Sequence, residues 1–362
     1  MTHDIELDLL IVGAGPAGVA AASQAFRDRI AAAVVTAGPP GGMLRAARTL
    51  TNLPGFDHPI TGPILAKRLL DSLRATGLPV ITDRVTSLTR QEGFYQAVLS
   101  GGAQVRSKTV ILATGTRPLP APFKGWHDAM ASGLAHRDAS SLPERMDGQT
   151  LAVVGGGDVA FDTALIACDR GAGQVHILVR SEAPKAAWHL QAEARSRAVT
   201  IHLQAQVRDI RPWEQGGDQD TETRTKIRLD IPDKAQLVVD QVAVCIGRQP
   251  ADELLVPGLQ ERKPPGIPVL DETDRGRFPN ARARGSTQAA QPHPRPEWNL
   301  IELPPGLWIA GDLASEAPGR FVAWALGSGQ QAAVRAAAFL RAHDNRDQGT
   351  MEDSVAVRDE GV

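Results

Sequence analysis

The pattern of apolar and polar positions near the start of the chain is typical of a strand followed by a helix. Residues 9–12 are all apolar and predict a buried strand. A glycine-rich turn follows from Gly13 to Gly18, and an alanine-rich stretch to about Arg29 predicts a helix. This order of strand, tight turn and helix predicts the first unit of an α/β domain.

The same order returns in the middle of the chain. Residues 151–154 are apolar, a second turn runs from Gly155 to Ala160, and residues 161–169 have a helical pattern. Gly13 and Gly155 are 142 positions apart. The repetition predicts two α/β domains, the second inserted between two stretches of the first.

Further patterns predict the remaining elements. They are a helix over 62–76, buried strands over 109–113 and 307–310, a strand over 238–246 that returns to the first domain, and a helix over 320–343. Residues 264–298 are rich in proline and arginine and predict a long loop. The polar tail after Asn345 has no periodicity and predicts disorder.

Composition narrows the class of protein. The 362 residues are enough for two domains, and 42% hydrophobic with 22% charged residues is typical of a soluble protein. A net charge of -2 gives no general attraction to nucleic acid or anionic lipid. We expect no membrane span, because no apolar run reaches about 18 residues. The acidic, non-basic start differs from a secretory signal and favours the cytoplasm.

The first turn, Gly13-x-Gly15-x-x-Gly18, follows a strand and opens a helix, which is the context that a dinucleotide-binding motif requires. Its first two glycines permit a tight turn and the close approach of a pyrophosphate. The third permits helix and strand to pack, and the helix N-terminus favours phosphate. The alternative is a purely structural turn.

One feature of that motif is missing. An acidic residue is expected about 20 positions further on, but Thr36 stands there. We therefore expect the ribose of the first nucleotide to be held by other groups, such as the backbone of residues 37–42.

The second turn, Gly155-x-Gly157-x-x-Ala160, has the alanine that the motif permits in its third place. The strand that follows this turn and its helix, residues 175–179, ends on Arg180, and Lys185 lies five residues later. Cations at this place fit a 2′-phosphate, so the sequence favours NADPH over NADH. The alternative is a solvated basic turn that selects neither nucleotide.

Several short motifs together resemble a known family. They are Gly13–Gly18, Gly41-Gly42-Met43-Leu44, Asn52-Leu53-Pro54-Gly55, Ile60-Thr61-Gly62-Pro63, Ala113-Thr114-Gly115, Gly155–Asp158, Gly247-Arg248-x-Pro250 and Ala310-Gly311-Asp312. Their order and spacing over residues 5–340 are similar to the low-molecular-weight thioredoxin reductase group, which includes the thioredoxin-reductase-type ferredoxin–NADP reductases.

The resemblance implies an α/β fold of two Rossmann-like, three-layer dinucleotide-binding domains. The discontinuous FAD domain would cover residues 1–117 and 246–344, and the NAD(P)H domain residues 118–245, with 345–362 a disordered tail. FAD contacts are implied for Gly13, Gly15, Pro16, Ala17, Gly18, Gly42, Leu44, Asn52, Ala113, Thr114, Gly115, Gly311, Asp312, Arg320, Phe321 and Val322. NADPH contacts are implied for Gly155, Gly157, Asp158, Val159, Ala160, Arg180 and Lys185.

The chain departs from thioredoxin reductases in its cysteines. By the resemblance, their redox Cys-x-x-Cys falls on Asp138-Ala139-Ser140-Ser141, and neither Asp138 nor Ser141 can form a disulfide. The only cysteines, Cys168 and Cys245, are 77 positions apart and are interpreted as buried small hydrophobic residues. We predict no catalytic redox cysteine and no metal site, and exclude dithiol exchange.

The function predicted from these features is an FAD-dependent oxidoreductase that passes electrons from NADPH to a ferredoxin- or flavodoxin-like carrier. One alternative is a reductase or oxidase acting on a small molecule, oxygen or a quinone; another is a non-catalytic FAD-binding sensor or scaffold. Five arginines in the loop, at positions 275, 277, 282, 284 and 295, predict docking of an acidic carrier, or else a solvated loop without a partner. The resemblance also implies a homodimer.

Overall fold

The computed structural model describes residues 5–91, 93–214, 225–232, 236–255, 303–315 and 321–356. The chain forms two compact units. The first combines Met1–Gly38, Thr76–Thr114 and Asp252–Val362, and the second combines Pro39–Ala75 and Gly115–Ala251. Each unit is therefore assembled from separate stretches of chain.

The first unit contains a seven-stranded mixed sheet. Its strands are β1 (Ile5–Val12), β2 (Ala32–Thr36), β3 (Val80–Thr82), β4 (Val85–Gln91), β5 (Phe94–Leu99), β6 (Gln104–Leu112) and β17 (Leu307–Ile309). The order is β3-β2-β1-β6-β5-β4, with β17 also paired to β6. Strands β3, β2, β1, β6 and β17 are parallel, whereas β4 and β5 add an antiparallel hairpin.

Two helices of the first unit pack against each other: α1 (Pro16–Arg27) and α6 (Val322–Ala356). Helix α1 begins with proline, whose fixed φ suits the first helical turn, and its inner face consists mostly of alanine. The backbones approach closely, because a Cβ on Gly329 of α6 would lie 2.0 Å from the carbonyl oxygen of Ala17. Small residues on both helices make this crossing possible.

The prediction of a disordered tail is wrong for residues 346–356, because α6 continues to Ala356; residues 357–362 lie outside the described residues. Residues 322–356 contain no proline, and only three glycines interrupt them. Nothing in that stretch removes a backbone donor or blocks the helical turn. A polar segment without an apolar stripe can therefore extend a helix that is already nucleated.

The second unit is built on a parallel sheet in the order β11-β10-β9-β15-β8. Its strands are β8 (Ala135–His136), β9 (Thr150–Val154), β10 (Gln174–Leu178), β11 (Thr200–His202) and β15 (Gln241–Val244). The helices are α2 (Gly62–Ala75), α3 (Trp126–Ala131), α4 (Asp158–Asp169) and α5 (Trp188–Ser196). Two antiparallel sheets accompany it: β12 (Asp209–Glu214), β13 (Thr225–Asp230) and β14 (Leu237–Val239) form one, and β7 (Thr116–Pro118) and β16 (Arg248–Pro250) form the other.

Alternate residues of β9 face two cores in the second unit. Leu151 and Val153 pack with α4 and α5 on one side. Ala152 and Val154 pack on the other side with α3 and the sheet β12–β14. This arrangement, with both faces of a parallel sheet covered, explains why β9 is apolar at nearly every position.

The single strand predicted over 238–246 is wrong: the structure has two strands, β14 and β15, and both belong to the second unit. Asp240 separates them. Its backbone N–H donates to Thr150 O at 2.9 Å, and its Oδ2 accepts from the Thr150 N–H at 2.8 Å. These two hydrogen bonds fix the point at which the chain leaves the antiparallel sheet after β14 and enters the parallel sheet at β15.

The segment Pro39–Ala75 lies in the second unit, although the sequence assigned it to the FAD domain. An ion-pair cluster explains its position. Arg48 Nε is 2.7 Å from Asp169 Oδ2 on α4, and its second nitrogen Nη2 is 2.8 Å from Glu193 Oε1 on α5. The assignment of whole ligand-binding domains stays a prediction, since a compact unit is defined by packing and not by what it binds.

Within the described ranges, no helix is both long enough and apolar enough to cross a membrane.

Candidate dinucleotide sites

The first glycine turn is closed at two positions by backbone atoms. Gly13 has φ of +108°, and a Cβ there would lie 2.3 Å from the carbonyl oxygen of Ala113. A Cβ on Gly18 would lie 1.8 Å from the carbonyl oxygen of Gly13. Both contacts are far inside van der Waals distance, so these two positions require glycine for packing alone.

Gly15 differs from both, since a Cβ there would meet no atom within 4 Å. It is the N-cap of α1, and no side chain caps the helix. The first-turn N–H groups of a helix have no partner within the helix and are a preferred site for phosphate. Open space in front of an uncapped helix start fits the pyrophosphate of a dinucleotide.

Two further segments reach the first turn within the same unit. Ala113 and Thr114 directly follow β6 and lie next to Gly13. Gly311, with φ of +70°, begins a short 3₁₀ turn over Gly311–Ala314, and a Cβ there would lie 2.8 Å from the Ala17 Cβ. Asp312 follows Gly311 and therefore lies near the start of α1.

The remaining residues implied for FAD are distributed as follows. Phe321 and Val322 stand at the start of α6 in the first unit. Gly42, Leu44, Asn52 and Gly115 belong to the second unit, where Leu44 is buried and Gly42 and Asn52 are exposed. Arg320 and the arginine-rich loop lie outside the described residues.

The second glycine turn repeats the backbone geometry of the first. Gly155 has φ of +148°, and a Cβ there would lie 2.2 Å from the carbonyl oxygen of Cys245. Gly157 is the N-cap of α4, again with no capping side chain and no atom within 4 Å of an added Cβ. Val159 and the fully buried Ala160 follow in the first turn of α4. This helix start also fits a pyrophosphate.

The loop after β10 is fastened to the second turn. The backbone N–H groups of Lys185 and Ala186 both donate to Gly156 O, at 2.7 and 2.9 Å. Asp158 Oδ1 accepts from the Ala187 N–H at 2.8 Å, so this carboxylate fixes the residue that directly precedes α5. The sequence motif predicted Asp158 as a cofactor contact and contained no signal for this hydrogen bond.

Arg180 and Lys185 both lie in this loop, and their contact with NADPH stays a prediction. Both side chains are exposed, and neither makes an ion pair with any other residue that the structure describes. The loop that is hydrogen-bonded to the second glycine turn therefore carries two exposed cations.

The cysteines have no arrangement suited to redox work. Cys245 is buried, its Sγ is 3.6 Å from Thr163 Oγ1, and burial raises the pKa of its thiol to about 12. Burial also raises the pKa of Cys168 on α4. Residues 138–141 form a turn closed by Asp138, which accepts the Ser140 N–H at 2.9 Å. A thiolate, the reactive form of cysteine, is disfavoured at both positions.

Two polar residues in α4 and its neighbourhood were missed by sequence reasoning. Asp162 Oδ1 accepts no hydrogen bond within the described part of the chain, and burial raises the pKa of this carboxyl to about 6. Arg48 has only 19% of its side chain exposed, and its hydrogen bonds to Asp169 and Glu193 raise its pKa in spite of burial. Neither residue belongs to a motif, since their partners are distant in sequence.

Two uncapped helix starts, each following a strand and a glycine turn, define a protein with two Rossmann-like dinucleotide-binding domains. Residues 7–286 match the sequence profile of the pyridine nucleotide-disulphide oxidoreductases, and the chain belongs to this family. The family binds FAD and NAD(P)H, and both predicted cofactors are confirmed at that level.

Curated relatives extend beyond the part that this chain matches. The chain is 30% identical over 257 residues to NADPH-dependent thioredoxin reductase 3 of Arabidopsis thaliana, covering 68% of this chain and 47% of that protein. It is 28% identical over 336 residues to NADH dehydrogenase of Bacillus subtilis, covering 92% of this chain and 58% of that protein. The chain thus spans about half the length of these relatives.

A solved structure supports the fold. The thioredoxin reductase of T. acidophilum superposes with a TM-score of 0.71 over 92% of this chain and 99% of that one, at 21% identity. The predicted fold class is therefore confirmed.

Proposed function

We propose that this chain is an FAD-dependent oxidoreductase that passes electrons from NADPH through FAD to a ferredoxin- or flavodoxin-like carrier protein. The observation that carries the proposal is the pair of open, uncapped helix starts at Gly15 and Gly157 in a chain without a pair of neighbouring cysteines. FAD supplies the chemistry of hydride acceptance and onward electron transfer.

Each helix start has its own task in this proposal. The N–H groups of α1 bind the pyrophosphate of FAD, with Asp312 beside them for a hydroxyl of the ribityl chain. The N–H groups of α4 bind the pyrophosphate of NADPH. Arg180 and Lys185, which lie in the loop fastened to Gly156, bind the 2′-phosphate and disfavour NADH in comparison.

The properties of the thiols argue against dithiol exchange as the outlet for electrons. Cys245 is buried with a pKa of about 12, and residues 138–141 contain no cysteine. A thiol that stays protonated is a poor nucleophile. We therefore propose that the electron acceptor is a one- or two-electron carrier protein. We also propose that the protein acts in the cytoplasm as a homodimer.

A second candidate is an oxidoreductase acting on a small molecule, oxygen or a quinone. The similarity to NADH dehydrogenase of B. subtilis, which covers 92% of this chain, favours it. A non-catalytic FAD-binding scaffold is the third candidate, and the experiment below separates all three.

Stopped-flow reduction of the bound flavin by NADPH and by NADH tests the proposal first. We expect bleaching of the flavin absorbance with NADPH, and slower or weaker bleaching with NADH. If neither nucleotide bleaches the flavin, the scaffold is correct and both enzyme candidates fail.

Cytochrome c reduction, measured with and without added ferredoxin or flavodoxin, identifies the acceptor. We expect reduction by NADPH to depend on the carrier. Rapid reduction that is independent of either carrier, together with quinone turnover, would replace the carrier proposal with the small-molecule one.

A further inference from the structure

The second unit contains a cleft of about 260 Å³ whose lining is positively charged. Three of its lining residues are arginines, Arg45, Arg48 and Arg170, and none is acidic. Thr61, Ser140 and Ile166 also line the cleft. Residues from three distant stretches of chain therefore enclose one small space in which positive charge accumulates.

Each arginine is placed there by a different element. Arg45 lies in a 3₁₀ turn over Gly42–Ala46, and Arg48 follows it two residues after the turn ends. Arg170 is the C-cap of α4, one helical turn beyond Ile166. Because i and i+4 positions share a helix face, Ile166 and Arg170 point to the same side of α4.

The three guanidinium groups differ in how far their charges are compensated. Arg48 is paired with Asp169 and Glu193, at 2.7 and 2.8 Å. Arg170 Nη1 donates to the carbonyl oxygens of residues 139, 142 and 143, at 3.2, 3.0 and 3.2 Å, and no carboxylate pairs with it in the described part of the chain. The guanidinium group of Arg170 is thus positioned by neutral carbonyl oxygens.

Arg45 is exposed and makes no hydrogen bond or ion pair with any described residue. Thr61 directly precedes α2 and accepts the Leu65 N–H through its carbonyl at 3.1 Å, so the positive end of the α2 dipole also faces this region. The nearby carboxylate of Asp138 accepts hydrogen bonds from Ser140 and is 3.8 Å from Arg248. The lining therefore carries two positive charges without a carboxylate partner among the described residues.

We propose that this cleft binds a small molecule that carries a carboxylate or phosphate group. Guanidinium groups bind both oxyanions through paired, charge-assisted hydrogen bonds. Ile166 and Pro63 offer apolar contact for a short body attached to the charged group. The volume of about 260 Å³ lies just below the usual range for ligand pockets, so the ligand is smaller than a dinucleotide.

This site is separate from the one proposed for the 2′-phosphate of NADPH. Arg180 and Lys185 belong to the loop fastened to Gly156, and neither lines the cleft. The inference therefore goes beyond the proposed function and does not depend on the identity of the electron acceptor.

Isothermal titration of the FAD-loaded protein with inorganic phosphate, and separately with malonate, tests the inference. Low ionic strength is required, because salt screens exposed charges. We expect saturable binding of at least one anion, and the tighter of the two identifies the ligand as a phosphate or a carboxylate. Arg45→Ala should weaken binding by about tenfold or more.

Two variants are the matched controls. Arg74→Ala removes an exposed arginine from α2 outside the cleft, and Arg180→Ala removes the proposed 2′-phosphate ligand. Both should leave the Arg45-dependent binding event and its dissociation constant unchanged. Phosphate bound at the proposed 2′-phosphate site is a separate event, which Arg180→Ala should remove and Arg45→Ala should retain. Thermal unfolding of Arg45→Ala should match the parent, since the exposed Arg45 side chain makes no hydrogen bond or ion pair with a described residue.

The inference is overturned if neither anion binds saturably, if Arg74→Ala weakens binding as much as Arg45→Ala, or if Arg180→Ala abolishes the Arg45-dependent binding. Flavin reduction by NADPH, measured on the same preparations, distinguishes failure of this inference from failure of the proposed function. If the flavin of the parent protein is reduced by NADPH but no anion binds, the proposed function stands and the proposal of an anion site in the cleft fails.

Discussion

The two glycine turns have the same hydrogen-bonded frame and different side chains at corresponding positions. In the first unit Val12 pairs with Val35 and Leu112, and in the second Val154 pairs with Leu178 and Val244. The Gly13 N–H donates to Val35 O at 2.7 Å, and the Gly155 N–H donates to Leu178 O at 3.0 Å. Differences between the turns are therefore differences in side chains on one common backbone.

The third position of the motif shows how packing selects a residue. Gly18 has its missing Cβ directed at Gly13 O, 1.8 Å away, whereas Ala160 keeps its methyl group in a fully buried position. Glycine is imposed in the first turn by the closeness of helix and strand. The second turn leaves room for one methyl group.

The residue after the second strand shows how side chains select a ligand. Strand pairing places Ala37 in the first unit at the position that Arg180 occupies in the second, because each lies two residues beyond the partner of Val12 or Val154. The position at which the first turn lacks an acidic residue is therefore Ala37, one residue after Thr36. A small side chain there offers no charge to a nucleotide, whereas Arg180 offers one.

The largest effect that we expect is that of Gly18→Ala. The added methyl group collides with a backbone oxygen that cannot move without disturbing β1, so the free energy of unfolding should fall by about 3 kcal/mol or more. Urea unfolding measures the loss, and FAD content should fall with it.

The matched control is Ala160→Gly in the second turn. It should lower the free energy of unfolding by only about 1 kcal/mol, the usual difference between alanine and glycine in a helix. Equal losses for the two variants would show that the third position is equivalent in both turns and that the packing argument is wrong.

Arg180→Ala should weaken NADPH binding by about 1.5–3 kcal/mol, the range for a charge-assisted hydrogen bond, and leave NADH binding almost unchanged. Titration with both nucleotides measures the difference. Arg195→Ala, an exposed arginine on α5, is the control and should change neither affinity. The same loss for NADH would show that Arg180 does not contact the 2′-phosphate.

Gly15→Ala and Gly157→Ala should separate the two cofactors. Neither methyl group meets an atom of the protein, so unfolding without cofactors should be unchanged, but each occupies the space where a pyrophosphate approaches. We expect a loss of about 1–2 kcal/mol in FAD affinity for the first and in NADPH affinity for the second. A variant that loses both cofactors together would contradict the assignment of one nucleotide to each turn.

The smallest change in the free energy of unfolding is expected at the fifth residue of α4. This residue is Asp162, where α1 has Ala20. The carboxyl of Asp162 has a pKa raised from 3.8 to about 6 by burial. Its contribution to stability is complete below pH 3.8 and is lost as the pH rises through 6. Asp162→Asn should therefore unfold like the parent near pH 4 and be about 1 kcal/mol more stable at pH 7.

Asp83 is the control of opposite sign for that experiment. The Ser100 hydroxyl and the Arg84 N–H hold the pKa of its carboxyl below the usual value. Asp83→Asn should be less stable than the parent at neutral pH, and the difference should shrink as the pH falls. Parallel pH profiles for the Asp162 and Asp83 variants would show that burial does not govern Asp162.

Much of the site could be predicted from sequence because its signals are local. Each turn has glycines at fixed spacing between an apolar strand and a helix, and the places of Arg180 and Lys185 follow from the end of the next strand. The fold class and the family followed from the same patterns and are confirmed. The boundary at Asp240 was missed, because its hydrogen bonds to Thr150 cross 90 positions.

The sequence by itself determined two strand–turn–helix units, their order, and the absence of a neighbouring cysteine pair. Tertiary structure alone decided that Gly18 must be glycine while alanine suffices at 160, that Arg48 fastens residues 39–75 to α4 and α5, and that Asp158 holds the residue before α5. The physical reason is range. Periodicity and turn chemistry act between residues close along the chain, whereas a buried charge or a close backbone contact depends on partners that only folding brings together.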